Sequence, residues 1–107
     1  MNIGIIIYSN DSETVWNAFR FGVFASAKEG AKVKVFLLGK GVEAESLDTD
    51  KFKITNEIEK FTQADGEILA CGTCLELRQA KESEICPVST MEDLYTLIKT
   101  SDKLVSF

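Results

Sequence analysis

The chain has 107 residues, 45% of them hydrophobic and 27% charged, with 12 Lys and Arg against 17 Asp and Glu for a net charge of −5. That composition is globular and that length suits one domain, 1–107. It excludes a basic nucleic-acid face, and no apolar run nears the ~20 residues a membrane-spanning helix needs.

The chain holds no histidine. That removes Cys–His and Ser–His–Asp catalysis and every imidazole-held metal. Three cysteines do not complete a four-thiolate zinc site, so neither a metal nor a cofactor is expected. The odd cysteine count fits a reducing compartment better than a disulfide framework. Met1 leads directly into a strand-like run with no basic segment and no cleavage site. A cytoplasmic location is therefore expected, with no membrane partner.

Residues 2–8 are short, β-branched and almost continuously apolar, the pattern of a strand buried on both faces of a parallel sheet. Asn10 or Asp11 can cap the helix predicted over residues 12–29, with Glu13 in its first turn. In that helix Val15, Phe19 and Val23 make one apolar line, and Trp16, Phe21, Phe24 and Ala25 widen it beyond an ordinary stripe. Such a helix is either central in the core or covered by another subunit, and Gly30 ends it. Residues 32–39 form the second strand of a right-handed βαβ unit.

Gly39-Lys40-Gly41 follows at the carboxyl end of that strand. Both the G-x-G-x-x-G and the Walker patterns are missing, so nucleotide binding is not expected. Residues 42–53 are acidic and polar, a candidate mobile loop with Asp48-Thr49-Asp50 its most exposed point. Ile54, Ile58 and Phe61 predict a helix over residues 54–64. Ile68, Leu69 and Ala70 then make a short buried strand.

The chain's chemistry is concentrated at the end of that strand. Cys71 lies at its carboxyl end and Cys74 in the first turn of the helix that follows. The carboxyl edge of an open α/β sheet is where ligands bind. A thiolate there would meet unpaired amides and the positive end of the helix. Gly72 allows close backbone approach or a positive φ, Thr73 can cap the helix, and Arg78 lies four residues beyond Cys74 on the same face, where a guanidinium would lower a thiol pKa. Arg78 equally fits a solvated helix residue. A cysteine after an apolar run also fits the core, where free Cys packs as a small hydrophobe.

Beyond the charged stretch Lys81-Glu82-Ser83-Glu84, residues 85–88 form a minor extended piece before and at Pro87. Cys86 within it is either a small apolar residue or a resolving thiol. Ser89-Thr90, with Asp93 three residues on, caps the last helix, whose buried face is read as Met91, Leu94, Leu97 and Ile98. Residues 103–107 are the final strand. Five strands alternate with four helices, which predicts a single-domain, three-layer α/β fold with a mostly parallel five-stranded sheet flanked by helices.

The opening strand, Ala18-Phe19-Arg20-Phe21, the strand end Phe36-Leu37-Leu38 before Gly41-Val42, Ile68-Leu69-Ala70-Cys71 leading to Leu77-Arg78, and the closing Thr100 to Phe107 occur in an order and spacing that resembles the DsrE/DsrF-like family of TusD/DsrE-type sulfur-relay proteins. The resemblance spans nearly the whole chain. It departs at Gln79, where the family often has Gly, and at Cys74, which the TusD branch lacks. It implies a sulfurtransferase-like persulfide carrier in which Cys71 accepts sulfane sulfur and passes it to a partner protein. It also implies assembly as a homotrimer or hexamer, or as a mixed complex of related subunits, with sulfur donor and acceptor proteins as partners.

Two other readings stand beside it. The Cys71–Cys74 spacing suits a thiol–disulfide oxidoreductase, though thioredoxin-like chains carry that motif after an early strand. A non-catalytic subunit would keep Cys71 buried and inert.

Overall fold

The computed structural model describes residues 1–80 and 87–107. The charged connection at 81–84, Ile85 and the possible resolving thiol Cys86 lie outside the described residues. The elements are β1 (Asn2–Ile7), α1 (Ser12–Ala27), β2 (Lys32–Leu37), a 3-10 helix (Gly39–Ser46), α2 (Ile54–Gln63), β3 (Glu67–Cys71), α3 (Gly72–Leu77), β4 (Val88–Ser89), α4 (Met91–Thr100) and β5 (Lys103–Ser106).

All five strands pair in parallel, in the order β4-β3-β2-β1-β5. From β1 to β4 the chain steps in one direction across the sheet. The last connection runs back past β1, so a crossover of the same right hand sends α4 to the opposite face. The layers are therefore α1 and α2, the sheet, and α4.

Strand alternation decides which residue meets which layer. Ile5 and Ile7 of β1, Val33, Val35 and Leu37 of β2, and Ile68 and Ala70 of β3 face α1 and α2 in one core. That core includes Val15, Ala18 and Phe19 of α1 with Ile54, Ile58 and Phe61 of α2. Phe61 is its hub. Its ring meets Phe19 edge-on at 5.9 Å between centroids. A Cβ on Gly22 would come within 2.9 Å of that ring, and one on Gly66 within 2.4 Å. Those two glycines make room for the phenyl group.

The alternate residues face α4. Phe36, Cys71 and Leu97 form a second, smaller buried cluster, flanked by Leu38, Leu69, Cys74 and Leu94. Gly4 of β1 lies here, where a Cβ would meet the side chains of Leu97 and Ser101, each at 2.6 Å. Among the described residues α4 is the main cover of this face, with Val42 of the 3-10 helix and Cys74 of α3 at the edge, and the cover is partial.

Helix ends follow capping rules. Asp11 accepts the Thr14 amide at 2.9 Å and starts α1. Thr90 and Asp93 form a reciprocal capping box at α4, as the sequence predicts. At the end of α1 the cap residue is Lys28 in right-handed conformation. Gly30, expected as the cap, takes its positive φ of 69° two residues later, where the chain turns into β2.

The expected buried face of α4 needs correction. In α4 only Leu97 is buried; Met91 is 60% and Ile98 45% exposed, and Tyr95 beside them is 68% exposed. A one-helix layer places a single residue row against the sheet. In α1, Phe24 projects outward, 56% exposed, because the buried stripe needs only Val15, Ala18, Phe19, Gly22 and Ala25. The stretch expected as a mobile loop begins as the 3-10 helix. Asp48 to Asp50 are exposed, as expected.

Candidate functional site

The carboxyl edge of β3 carries the cysteine pair, two strands away from the point beside β1 where strand order reverses. Both thiols are free. Cys71 pairs in register with Ser89 of β4, and its parity turns it toward α4, beneath Leu97. It is 3% exposed. Cys74, one helical turn on, is half-buried at the margin of the same cluster.

The electrostatics at Cys71 run opposite to the sequence expectation. Burial pushes its pKa up from the ordinary value of 9.0, and the neighbouring Cys74 pushes it further, as a hydrogen-bond partner and as a negative charge. The amides of Cys74 and Thr73 pull the other way and do not prevail. Neither closes a full capping bond to the sulfur. The first turn of α3 favours the anion, but desolvation costs more.

The remaining predicted site residues are placed differently from expectation. Thr73 does not cap α3; Cys71 is the N-cap residue, and Thr73 lies inside the first turn, exposed. Gly72 has no positive φ. The room it leaves is taken by β4: a Cβ there would meet Val88 Cγ1 at 2.9 Å and the Ser89 carbonyl oxygen at 3.4 Å. Arg78 is paired away from sulfur. Its Nε donates to Glu43 Oε2 at 2.8 Å, and its Nη1 to the Cys74 carbonyl oxygen at 3.2 Å. The ion pair holds the Glu43 carboxyl below the usual range, with help from the Asn10 amide. Asn10 Nδ2 donates to Glu43 Oε1 at 3.3 Å. The loop between β1 and α1, the 3-10 helix and α3 are thus tied together beside Cys74.

Two residues that touch the site were not assigned from sequence. One is Glu43. The other is Gly39, whose amide donates to Cys74 Sγ at 3.2 Å. The Gly39-Lys40-Gly41 turn was a visible signal, but its acceptor is a sulfur on α3 rather than a phosphate.

Among the described residues, no three or more Cys, Asp or Glu side chains converge as a metal site, and no helix is long and apolar enough to cross a membrane. A cavity of about 430 Å³ opens at the amino ends of β1 and β2, lined by Asn2, Lys32, Lys34, Leu97 and Ser101. Neither described cysteine reaches it.

A parallel α/β sheet with a thiol pair at one carboxyl edge defines the class. The chain belongs to the DsrE/DsrF-like family, whose model matches residues 1–107, a family generally linked to sulfur relay. It is 31% identical over 101 residues to an uncharacterized protein of Methanocaldococcus jannaschii, spanning 89% of this chain and 88% of that one. An uncharacterized protein of Methanopyrus kandleri is likewise 31% identical over 101 residues, 89% of this chain and 83% of its own. The fold is that of the YchN protein of E. coli, with a TM-score of 0.83 at 19% identity over 100% of both chains. A conserved protein of unknown function from Bacteroides thetaiotaomicron superimposes with a TM-score of 0.79 at 21% identity, over 99% of this chain and 94% of that one.

Proposed function

We propose that the chain is a sulfur-relay protein. Sulfane sulfur is held as a persulfide on Cys71, with Cys74 as the accessory thiol, and is passed to an acceptor protein. The observation that carries this reading is the contact between two free thiols at the carboxyl edge of β3, one buried and one half-buried. Persulfide transfer is thiol–disulfide exchange in chemical kind, so it needs an attacking thiolate and a leaving thiolate within reach of each other. Burial of Cys71 favours retention of a labile sulfur, and the half-open Cys74 gives a donor access.

The same burial is what an inert subunit would show, and the same contact is what a dithiol oxidoreductase would use. The half-exposed Cys74 and its amide donor speak against the first. Family membership speaks against the second.

An assembly of several copies, or a mixed complex with related subunits, completes the proposal. Met91, Tyr95, Ile98 and Leu104 form an uncovered apolar surface on α4 and β5 that supports it, and the cytoplasm is the proposed location.

The test is to incubate the reduced protein with glutathione persulfide and weigh it. A gain of one sulfur, lost in a Cys71→Ser/Cys74→Ser double variant, is the expected result. No gain overturns the relay reading. Reduction of insulin disulfides at a rate typical of dithiol reductants would favour the oxidoreductase instead.

A further inference from the structure

Two glycines that the relay reading leaves without a task shape the turn after β2. Gly39 has a φ of +56°, a conformation strained for any residue with a Cβ. A Cβ on Gly41 would sit 1.9 Å from the Ile7 carbonyl oxygen, so only glycine lets the turn lie against the end of β1. The Ile7 oxygen accepts the Leu38 amide at 2.9 Å, and the Leu38 oxygen accepts the Gly41 amide at 2.9 Å. With those bonds made, the Gly39 amide is left to point out of the ladder, and its acceptor is Cys74 Sγ at 3.2 Å. Buried backbone donors are built to be satisfied. Here a two-glycine turn aims its donor at a sulfur atom, which fixes where Cys74 Sγ sits at the margin.

The two thiols are also unequal in access. Cys74 is half-buried at the margin, and Cys71 is 3% exposed behind it. Burial and the adjacent Cys74 both raise the pKa of Cys71.

We infer that sulfane sulfur enters on Cys74, positioned by the Gly39 amide, and only then passes inward to Cys71. This rests on the relay reading above. In the first step the Cys74 thiolate attacks the outer sulfur of a donor persulfide, R–S–SH. A Cys74 Sγ–S bond forms, the donor's S–S bond breaks, and the donor leaves as its thiolate. In the second step the Cys71 sulfur attacks the outer sulfur of the Cys74 persulfide. The S–S bond at Cys74 breaks, its electron pair stays on Cys74 Sγ, and that sulfur takes the proton Cys71 gives up. The sum moves one sulfur with its hydrogen from donor to Cys71 and consumes no oxidant or reductant.

The experiment uses the full chain in a Cys86→Ser background, with glutathione persulfide as donor, persulfide tagging, and fragment masses to locate the tag. The tag is expected on Cys74 first and on Cys71 later. The Cys71→Ser variant takes one sulfur and keeps it on Cys74. The Cys74→Ser variant loads Cys71 at least about tenfold more slowly, as expected when the more accessible thiolate is removed. Undiminished loading of Cys71 in Cys74→Ser, or no sulfur on Cys74 in Cys71→Ser, overturns the order and leaves the relay standing. Sulfur on neither thiol of the parent overturns both.

The role of Gly39 is read separately, by replacing its amide with a backbone ester in the Cys71→Ser chain. Sulfur transfer from glutathione persulfide to Cys74 is expected to slow about tenfold, the loss of one bond to a charged acceptor, with the circular dichroism spectrum unchanged. Undiminished transfer, or slowing accompanied by a lost fold, removes Gly39 from the proposal.

Discussion

The two faces of the sheet are built to different standards. The face under α1 and α2 is closed: Ile5, Ile7, Phe19, Val35, Ile54 and Phe61 are all fully buried. The face under α4 holds a fully buried core of two residues, Phe36 and Leu97, with Cys71 beside them. Around it Tyr8, Met91, Tyr95, Ile98 and Leu104 stay exposed. The closed face holds the fold together. The open one carries the thiols, Cys71 within its small core and Cys74 at the margin.

That contrast can be broken in order of expected effect. Phe61→Ala empties the hub of the closed face and is expected to cost about 3–5 kcal/mol in urea unfolding. Tyr95→Ser on the open face should stay within about 0.5 kcal/mol. A larger and concentration-dependent cost for Tyr95→Ser would instead mark that surface as an interface. Gly41→Ala comes next. Its Cβ has no space against Ile7, so a loss of about 1–3 kcal/mol is expected, and a neutral result would show that the turn can shift.

The third way is to titrate. The pKa of Cys71 is raised in the folded chain. Above the ordinary thiol value of 9.0 the unfolded chain therefore binds fewer protons than the folded one. Stability is unaffected below that pH and falls as pH rises through the raised folded value. Unfolding midpoints of the parent should drop in alkali more steeply than those of Cys71→Ala. Parallel curves would mean that Cys71 is not desolvated.

The smallest effect concerns Glu43. Its folded pKa lies below the ordinary 4.5, so its contribution is present above that value and is lost as pH falls through the depressed one. Parent and Glu43→Gln should differ slightly at neutral pH and converge in acid. A constant gap would place the effect in packing instead of in the pair with Arg78.

Much of this was legible in the chain. Short apolar runs marked β1, β2 and β3, and Ser89-Thr90 with Asp93 marked the start of α4, because these signals act over a few neighbouring residues. The position of Cys71 and Cys74 at a strand-to-helix junction was legible for the same reason. The environment of each thiol was not. Whether Cys71 is exposed depends on α4 arriving from far along the chain to cover it. Arg78 could be placed on the face of Cys74 by helical spacing, but Glu43, 35 residues away, competes for its guanidinium. Met91 and Ile98 have the spacing of a buried stripe and no second layer to be buried in.

The sequence by itself determined the strands, the four α-helices, a mostly parallel sheet and the strand end at which two thiols lie, since propensity, periodicity and capping are local. Only the tertiary structure decided which thiol is sealed, which one receives an amide and where the charges pair. Desolvation and hydrogen bonding depend on what the fold brings within a few ångströms, and neither the Gly39 turn nor α4 is near the cysteines until the chain has crossed the sheet.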